Sequence, residues 1–265
     1  MHDIALRGAD IGAAQIDKSL EGWLREKTRG VERVLIIPPD YTRSMSGAGS
    51  ITAMLYAKLK DGFEVDILPA LGTHERMSDP EISKMFGDGI PKERFLYHNW
   101  RTDVVDLGEV PASYVREISE GKLDYPIKVQ VNRRLTDGTY GLVISVGQVV
   151  PHEVVGMANY TKNVLVGCGG KEMIDKTHFL GAVYGMERLM GRDHSPVRKV
   201  FDYAEEKFLS KMPLEYILTV MKQEGARGLM KGFFAGRDRA LFEQAVELST
   251  SENFDLLDEP LEKVV

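Results

Sequence analysis

The chain has 265 residues, of which 43% are hydrophobic and 28% charged, and its net charge is −6. That composition suits a globular protein with a sizeable core, and it lacks the basic stripe that nucleic-acid binding requires. The single cysteine, Cys168, excludes an internal disulfide framework and fits a reducing compartment.

No apolar run reaches the length needed to span a bilayer. The start, Met1-His2-Asp3-Ile4, lacks a basic segment followed by an apolar one. The expectation is a cytoplasmic protein with neither nucleic acid nor membrane as a partner.

In chain order, Val34-Leu35-Ile36-Ile37 is a continuous apolar run stopped by Pro38-Pro39-Asp40. This predicts a buried strand that opens into a loop. A helix is expected over 50–60, with Ile51, Leu55 and Leu59 on one face. The segment 63–68 predicts a second strand, followed by the loop Ala70-Leu71-Gly72-Thr73-His74. Ser78-Asp79-Pro80-Glu81 reads as a helix start with acidic first-turn residues. Further strands are expected at 95–97, 127–131 and 140–146, and Thr136-Asp137-Gly138 separates the last two.

The apolar run 163–166 reads as another buried strand, ending in Gly167-Cys168-Gly169-Gly170. Near the C-terminus, 216–221 and 229–234 flank a turn-rich stretch from Gln223 to Gly228 and predict a β-hairpin. A helix over 239–248 follows, and Glu259-Pro260 reads as a linker or the start of a further element. Alternation of strand and helix predicts the α/β class: a doubly wound, Rossmann-like, mostly parallel sheet with a C-terminal β-hairpin and helix.

Ligands of open α/β sheets bind beyond the carboxyl ends of the strands. Three polar loops fall there: Asp40-Tyr41-Thr42-Arg43, Gly72-Thr73-His74, and Gln148-Val149-Val150-Pro151-His152. Arg43 suits a carboxylate, because its planar fork binds both oxygens. His74 and His152 suit acid–base work near neutral pH. Together they point to proton movement on a small anion. Taken singly, a histidine at a strand end is more often a hydrogen-bonded structural residue, Arg43 a surface arginine and Lys162 a solvated lysine. His2, His98 and His194 are read as exposed or structural.

Two motifs fail on inspection. His152-Glu153-Val154-Val155-Gly156 starts like a zinc-protease helix but has glycine in place of the second histidine. Gly167-Cys168-Gly169-Gly170-Lys171-Glu172 lacks the first glycine and the terminal Ser/Thr of a phosphate loop, which leaves a general anion-binding loop open. Cys168 is read as a small buried or loop residue.

The ordered set of loops resembles the nickel-dependent lactate racemase family, over most of the chain from about Val34 to the helix starting at Arg239. Asp40-Tyr41-Thr42-Arg43 is similar to the family's Asp-x-Thr-Arg loop. Gly72-Thr73-His74 and Pro151-His152 are similar to its two catalytic histidine loops. Lys162 lies ten residues after His152, at the spacing of the lysine that anchors the cofactor, and His178 lies 26 after it, at that of the nickel-binding histidine. Ser195-Pro196-Val197-Arg198 and the stretch from Phe233 to Asp238 resemble further family segments.

The resemblance implies a racemase or epimerase of 2-hydroxy acids that uses a nickel pincer nucleotide. Lys162 would tether this cofactor covalently, His178 would ligate the nickel, and Asp40, Thr42 and backbone near Gly156 would help hold the nucleotide. Arg43 would grip the substrate carboxylate. His74 and His152 would each take the hydroxyl proton of one enantiomer, while hydride passes to and from the cofactor.

Implied partners are a small 2-hydroxy carboxylate, the enzymes that make the cofactor, and a second α/β domain that closes the cleft. Residues 1–265 are expected to form the N-terminal, cofactor-holding domain, with the family's C-terminal domain absent. One departure stands out. The family's Ser-Gly-Gly-x-Lys loop is here Ala158-Asn159-Tyr160-Thr161-Lys162, and its side chains are expected to narrow the backbone approach that glycines allow. Two other readings stay open: a non-catalytic module binding the cofactor or a carboxylate, and a metal-dependent hydrolase built on His152, Glu153 and His178.

Overall fold

The computed structural model describes residues 3–225 and 227–255. His2 and the Glu259-Pro260 stretch lie outside them. Elements β1 (Ile4–Arg7), α1 (Ala13–Lys27), β2 (Arg33–Ile37), α2 (Ala48–Leu59), β3 (Glu64–Ile67) and α3 (Asp79–Phe86) form the first half of the sheet and one covering layer. Next come β4 (Val104–Val110), α4 (Ala112–Ile118), β5 (Ile127–Asn132), β6 (Leu142–Gln148) and the short hairpin β7 (Pro151–His152) with β8 (Gly156–Met157). The helices α5 (Thr161–Leu165), α6 (Lys171–Tyr184), α7 (Met186–Leu189) and α8 (Pro196–Ala204) follow. The described chain closes with β9 (Leu214–Glu224), β10 (Arg227–Gly236) and α9 (Arg239–Asn253).

Six strands make the central sheet in the order β1-β10-β9-β6-β2-β3. The pairs β3/β2, β2/β6 and β6/β9 are parallel, whereas β9/β10 and β10/β1 are antiparallel. The expected mostly parallel sheet and C-terminal hairpin are both present. Strand periodicity explains the layers on each side. Val34 and Ile36 of β2 join a core with Ile16, Leu20, Leu55 and Phe86 from α1, α2 and α3. Their neighbours Leu35 and Ile37 join the opposite core, with Val164, Met173, Val200 and Phe242 from α5, α6, α8 and α9. A strand apolar on both faces needs cover on both, so the sheet is doubly wound.

The α3 start is capped as predicted, by reciprocal bonds between Ser78 and Glu81. Two predicted strands are corrected. The run 163–166 is helical, with Val166 N–H donating to the Lys162 carbonyl at 2.9 Å. Because β2 pairs directly with β6, the sheet has no slot for another strand there. The segment at 95–97 makes only a single bridge, from Phe95 to Ile67.

Sheet order sets the position of the site. From β2 the chain crosses to β3 on one side, and later returns to β6 on the other. Loops leaving the carboxyl ends of β2 and β6 therefore diverge and leave a crevice between them.

Candidate functional site

A cavity of about 270 Å³ occupies that crevice. Its wall contains Asp40, Thr42 and Arg43 from the β2 loop, His74 from the β3 loop and His152 from β7. Lys162 of α5 and His178 of α6 complete it. Of the residues singled out from the sequence, Gly156 alone is not in the lining. It sits below, at φ +88°, where an added Cβ would meet the Arg192 carbonyl at 2.1 Å. It is glycine because the β7–β8 hairpin must press against the backbone before α8.

The loops are locked from within. Asp40 caps the turn Tyr41–Ser46: its Oδ1 accepts from Thr42 N–H at 3.2 Å and from the Thr42 hydroxyl at 2.5 Å. Its other oxygen pairs with His74 Nδ1. Asp40 thus joins two strand-end loops. The β3 loop is also fixed by Gly72 N–H, which donates to the Gly167 carbonyl at 2.8 Å.

Helix α5 is held by Asn163, whose amide donates to the Ile37 carbonyl and to Ser145 Oγ, each at 3.0 Å. These contacts seat Lys162 over the open ends of β2 and β6.

The glycine-poor loop before Lys162 keeps a backbone that glycine would favour. Asn159 and Tyr160 have φ of 65° and 56°, and such conformations store strain on the order of 1–3 kcal/mol per residue. Packing holds them there. Tyr160 stacks on Phe242 with ring centroids 5.0 Å apart, and its hydroxyl donates to the Arg237 carbonyl at 3.1 Å. Fully buried Arg198 donates to Thr161 Oγ1 at 2.8 Å and to the carbonyls of Met157 and Asn159 at 2.7 and 3.2 Å. Arg198 was missed as a site residue in the sequence, because its partners lie 37 to 41 positions away and are mostly backbone.

Electrostatics divide the cavity. Burial lowers the His152 pKa to about 3, helped by the charges of Lys162 and Arg43, so the ring is neutral. Burial, then Arg43 and Arg198, lower Lys162 to about 8. About a tenth of that amine is therefore uncharged at pH 7 and available as a nucleophile. His178 is shifted down by burial, and its Nδ1 donates to the Ile174 carbonyl at 2.6 Å. That leaves Nε2 as a lone-pair donor, the arrangement found in metal-ligating histidines. Arg43 is exposed and makes no ion pair among the described residues.

The remaining sequence features are structural. His98 is buried, with Nε2 donating to the Gly169 carbonyl at 3.0 Å and Nδ1 accepting from Asn132 at 2.9 Å. His194 pairs with Asp193 in an exposed turn. Cys168 is fully buried, and its thiol pKa is pushed up by burial, which makes it a poor nucleophile. In the Gly167–Gly170 turn, Cβ atoms would strike the Asn163 and Leu165 carbonyls and Gln130, so these glycines serve close packing.

A family model described as "Lactate racemase N-terminal domain" matches residues 9–189. The chain belongs to the lactate racemase N-terminal domain family. A crystal structure of a protein from Thermotoga maritima superposes with a TM-score of 0.86 at 27% identity, covering 97% of this chain and 63% of that one. The lactate racemase apoprotein from Thermoanaerobacterium thermosaccharolyticum gives a TM-score of 0.64 at 20% identity, over 86% of this chain and 51% of that one. The second likeness concerns the fold alone. No curated protein matches. This lactate racemase-like chain thus spans less than two thirds of the length of both solved relatives. Among its described residues, no helix is long and apolar enough to cross a membrane.

Proposed function

We propose that this chain is the cofactor-holding part of a racemase or epimerase of 2-hydroxy acids dependent on a nickel pincer nucleotide. The observation that carries this reading is the shared cavity floor, where the low-pKa amine of Lys162 and the free Nε2 of His178 line one crevice. An amine must lose its proton before it can be acylated, and nickel accepts imidazole nitrogen readily. The residues present therefore fit the group. Lys162 would tether it, His178 would ligate its nickel, and Thr42 and Asp40 stand on the wall that would face the nucleotide. When bound, the cofactor supplies reversible acceptance of the hydrogen that leaves the substrate carbon with its electron pair.

The chain's own residues do the rest. Arg43, free and at the rim, binds the substrate carboxylate through both oxygens. His74 removes the hydroxyl proton. Its Nδ1 is turned to Asp40, whose carboxylate stabilises the imidazolium that forms. The cavity is at the small end of the range for ligand sites, and its Arg43 side is exposed. A second domain or separate partner would cover that side and exclude water.

Among the described residues, no cluster of three or more His, Cys, Asp or Glu side chains could hold a metal ion. A hydrolase that cages its metal in His152, Glu153 and His178 is therefore not favoured, whereas a preassembled cofactor asks only one imidazole of the protein. The test is enzymatic. Chain co-produced with cofactor-making enzymes, and supplied with the family's second domain, should interconvert the enantiomers of a 2-hydroxy acid, and Lys162→Ala should abolish this. Loaded protein that exchanges no hydrogen at the substrate carbon would instead support a carrier or binding module.

A further inference from the structure

Two buried asparagines line the cavity, and their amides are used differently. Asn163 spends its N–H groups on the Ile37 carbonyl and Ser145 Oγ. Asn159 is 8% exposed, and its Oδ1 accepts from Tyr160 N–H at 2.7 Å. That bond fixes which end of the amide is oxygen and leaves Nδ2 as the free end. Among the described residues, no acceptor meets this Nδ2.

The fold makes room for the amide at two places. Asn159 stands where the family's motif has glycine, and it holds its backbone at φ 65°. Beneath it, a Cβ added to Gly147 would come within 1.8 Å of Nδ2, so β6 carries glycine under the amide. Tyr160, the next residue, is held by its stack on Phe242. Asn159 has one side-chain hydrogen bond, and its two N–H hydrogens are unspent. Buried donors left unbonded cost free energy, so an acceptor that enters the cavity accounts for their placement.

The charges nearby favour an anion. Arg43 and Lys162 share the lining with Asn159. Of the two carboxylates there, Asp40 is engaged by Thr42 and His74, and Glu153 is exposed beside His152.

We propose that Asn159 is a ligand-binding residue of this site, whose side-chain amide donates to an anionic oxygen, phosphate or carboxylate, of the group bound in the cavity. The identity of that group rests on the reading proposed above, whereas the position of the donor does not. Asparagine here replaces the flexibility of a glycine with a fixed hydrogen-bond donor three residues before the anchoring lysine. The residue moves no proton. It binds and orients.

The test starts from the cofactor-free, nitrogen-labelled chain. Nicotinic acid mononucleotide and lactate are titrated separately, and the side-chain amide signal of Asn159 is assigned by its loss in Asn159→Asp. One of the two probes should shift that signal. A response to the mononucleotide assigns the donor to the cofactor, and a response to lactate assigns it to the substrate. Asn159→Asp keeps the Oδ1 acceptor and tolerates the same backbone, but loses the donor. Asn159→Gly suits the backbone and removes the whole amide. Both should weaken binding of the responding probe about 10-fold or more, with the urea midpoint close to that of the parent.

An unshifted Asn159 signal with both probes, or equal affinity in parent and variants, overturns the proposal. Affinity that falls only together with the urea midpoint also overturns it, since Asn159 would then be a structural residue. Intact mass after co-production with the cofactor-making enzymes keeps the two readings apart. An adduct on the parent at undiminished occupancy in Asn159→Asp and Asn159→Gly counts against Asn159 as a cofactor contact and leaves Lys162 as anchor. No adduct on the parent sinks the anchor, and the probe titration still decides Asn159.

Discussion

The rim and the floor of the cavity are built on different physics. At the rim, Arg43 and Thr42 are exposed and the His74 side chain keeps 57% of its surface. On the floor, His152 is buried, Lys162 and His178 are at least half-buried, and all three have lowered pKa values with burial as the first cause. Exposed groups cost the fold little and remain free to meet a ligand. Buried ones have their charged forms disfavoured by the packing around them. The floor is thus set electrostatically by the fold, and the rim is left open to solvent.

This division predicts that floor and rim variants fail differently. The largest effect on stability should come from the support under the floor. Arg198→Ala strands three acceptors and should lower unfolding free energy by about 3–5 kcal/mol in urea titrations. A loss under about 1 kcal/mol would mean that the loop holds itself. Next comes Gly156→Ala, whose Cβ meets backbone carbonyls of Arg192 and Leu189. Overpacking of that kind should cost about 1–3 kcal/mol, read from the same titration.

A pH series sharpens the comparison further. Burial holds His152 at about 3 in the fold, against 6.5 for the unperturbed group. As pH falls from 6.5 toward 3, the unfolded chain takes the proton and the folded chain does not, so stability drops through that window. His152→Gln should flatten the drop by about 1–3 kcal/mol between pH 7 and pH 4. An unchanged slope would place the ring in contact with solvent. The smallest stability effect belongs to the rim. Arg43→Ala should stay within about 0.5 kcal/mol of the parent while raising KM for a 2-hydroxy acid about 10- to 100-fold in the loaded enzyme. Equal changes in stability at both levels would erase the distinction.

The legibility of these features in the sequence follows from their range. The β2 run shows in its four consecutive apolar residues, and the α3 start in its Ser78–Glu81 box, because both signals are local. Loop positions of Arg43, His74 and His152 follow from strand ends, so their meeting was legible once a parallel sheet was expected. The run at 163–166 misled because a short, fully buried helix is as apolar as a buried strand. What decides it is the Asn163 amide reaching Ile37, 126 positions away. Likewise, nothing near Asn159 and Tyr160 announces left-handed backbone, since the arginine and aromatic rings that enforce it come from α8, β9 and α9. Tautomers are beyond sequence altogether, because they depend on which backbone group each ring meets.

The most direct measurement of the central claim is the intact mass and nickel content of the chain co-produced with the cofactor-making enzymes. Lys162 as anchor predicts a single added mass of a nucleotide-sized group carrying nickel, absent from Lys162→Ala and stripped of nickel but still attached in His178→Ala. An unmodified mass in the parent, or an adduct that survives Lys162→Ala, would contradict it.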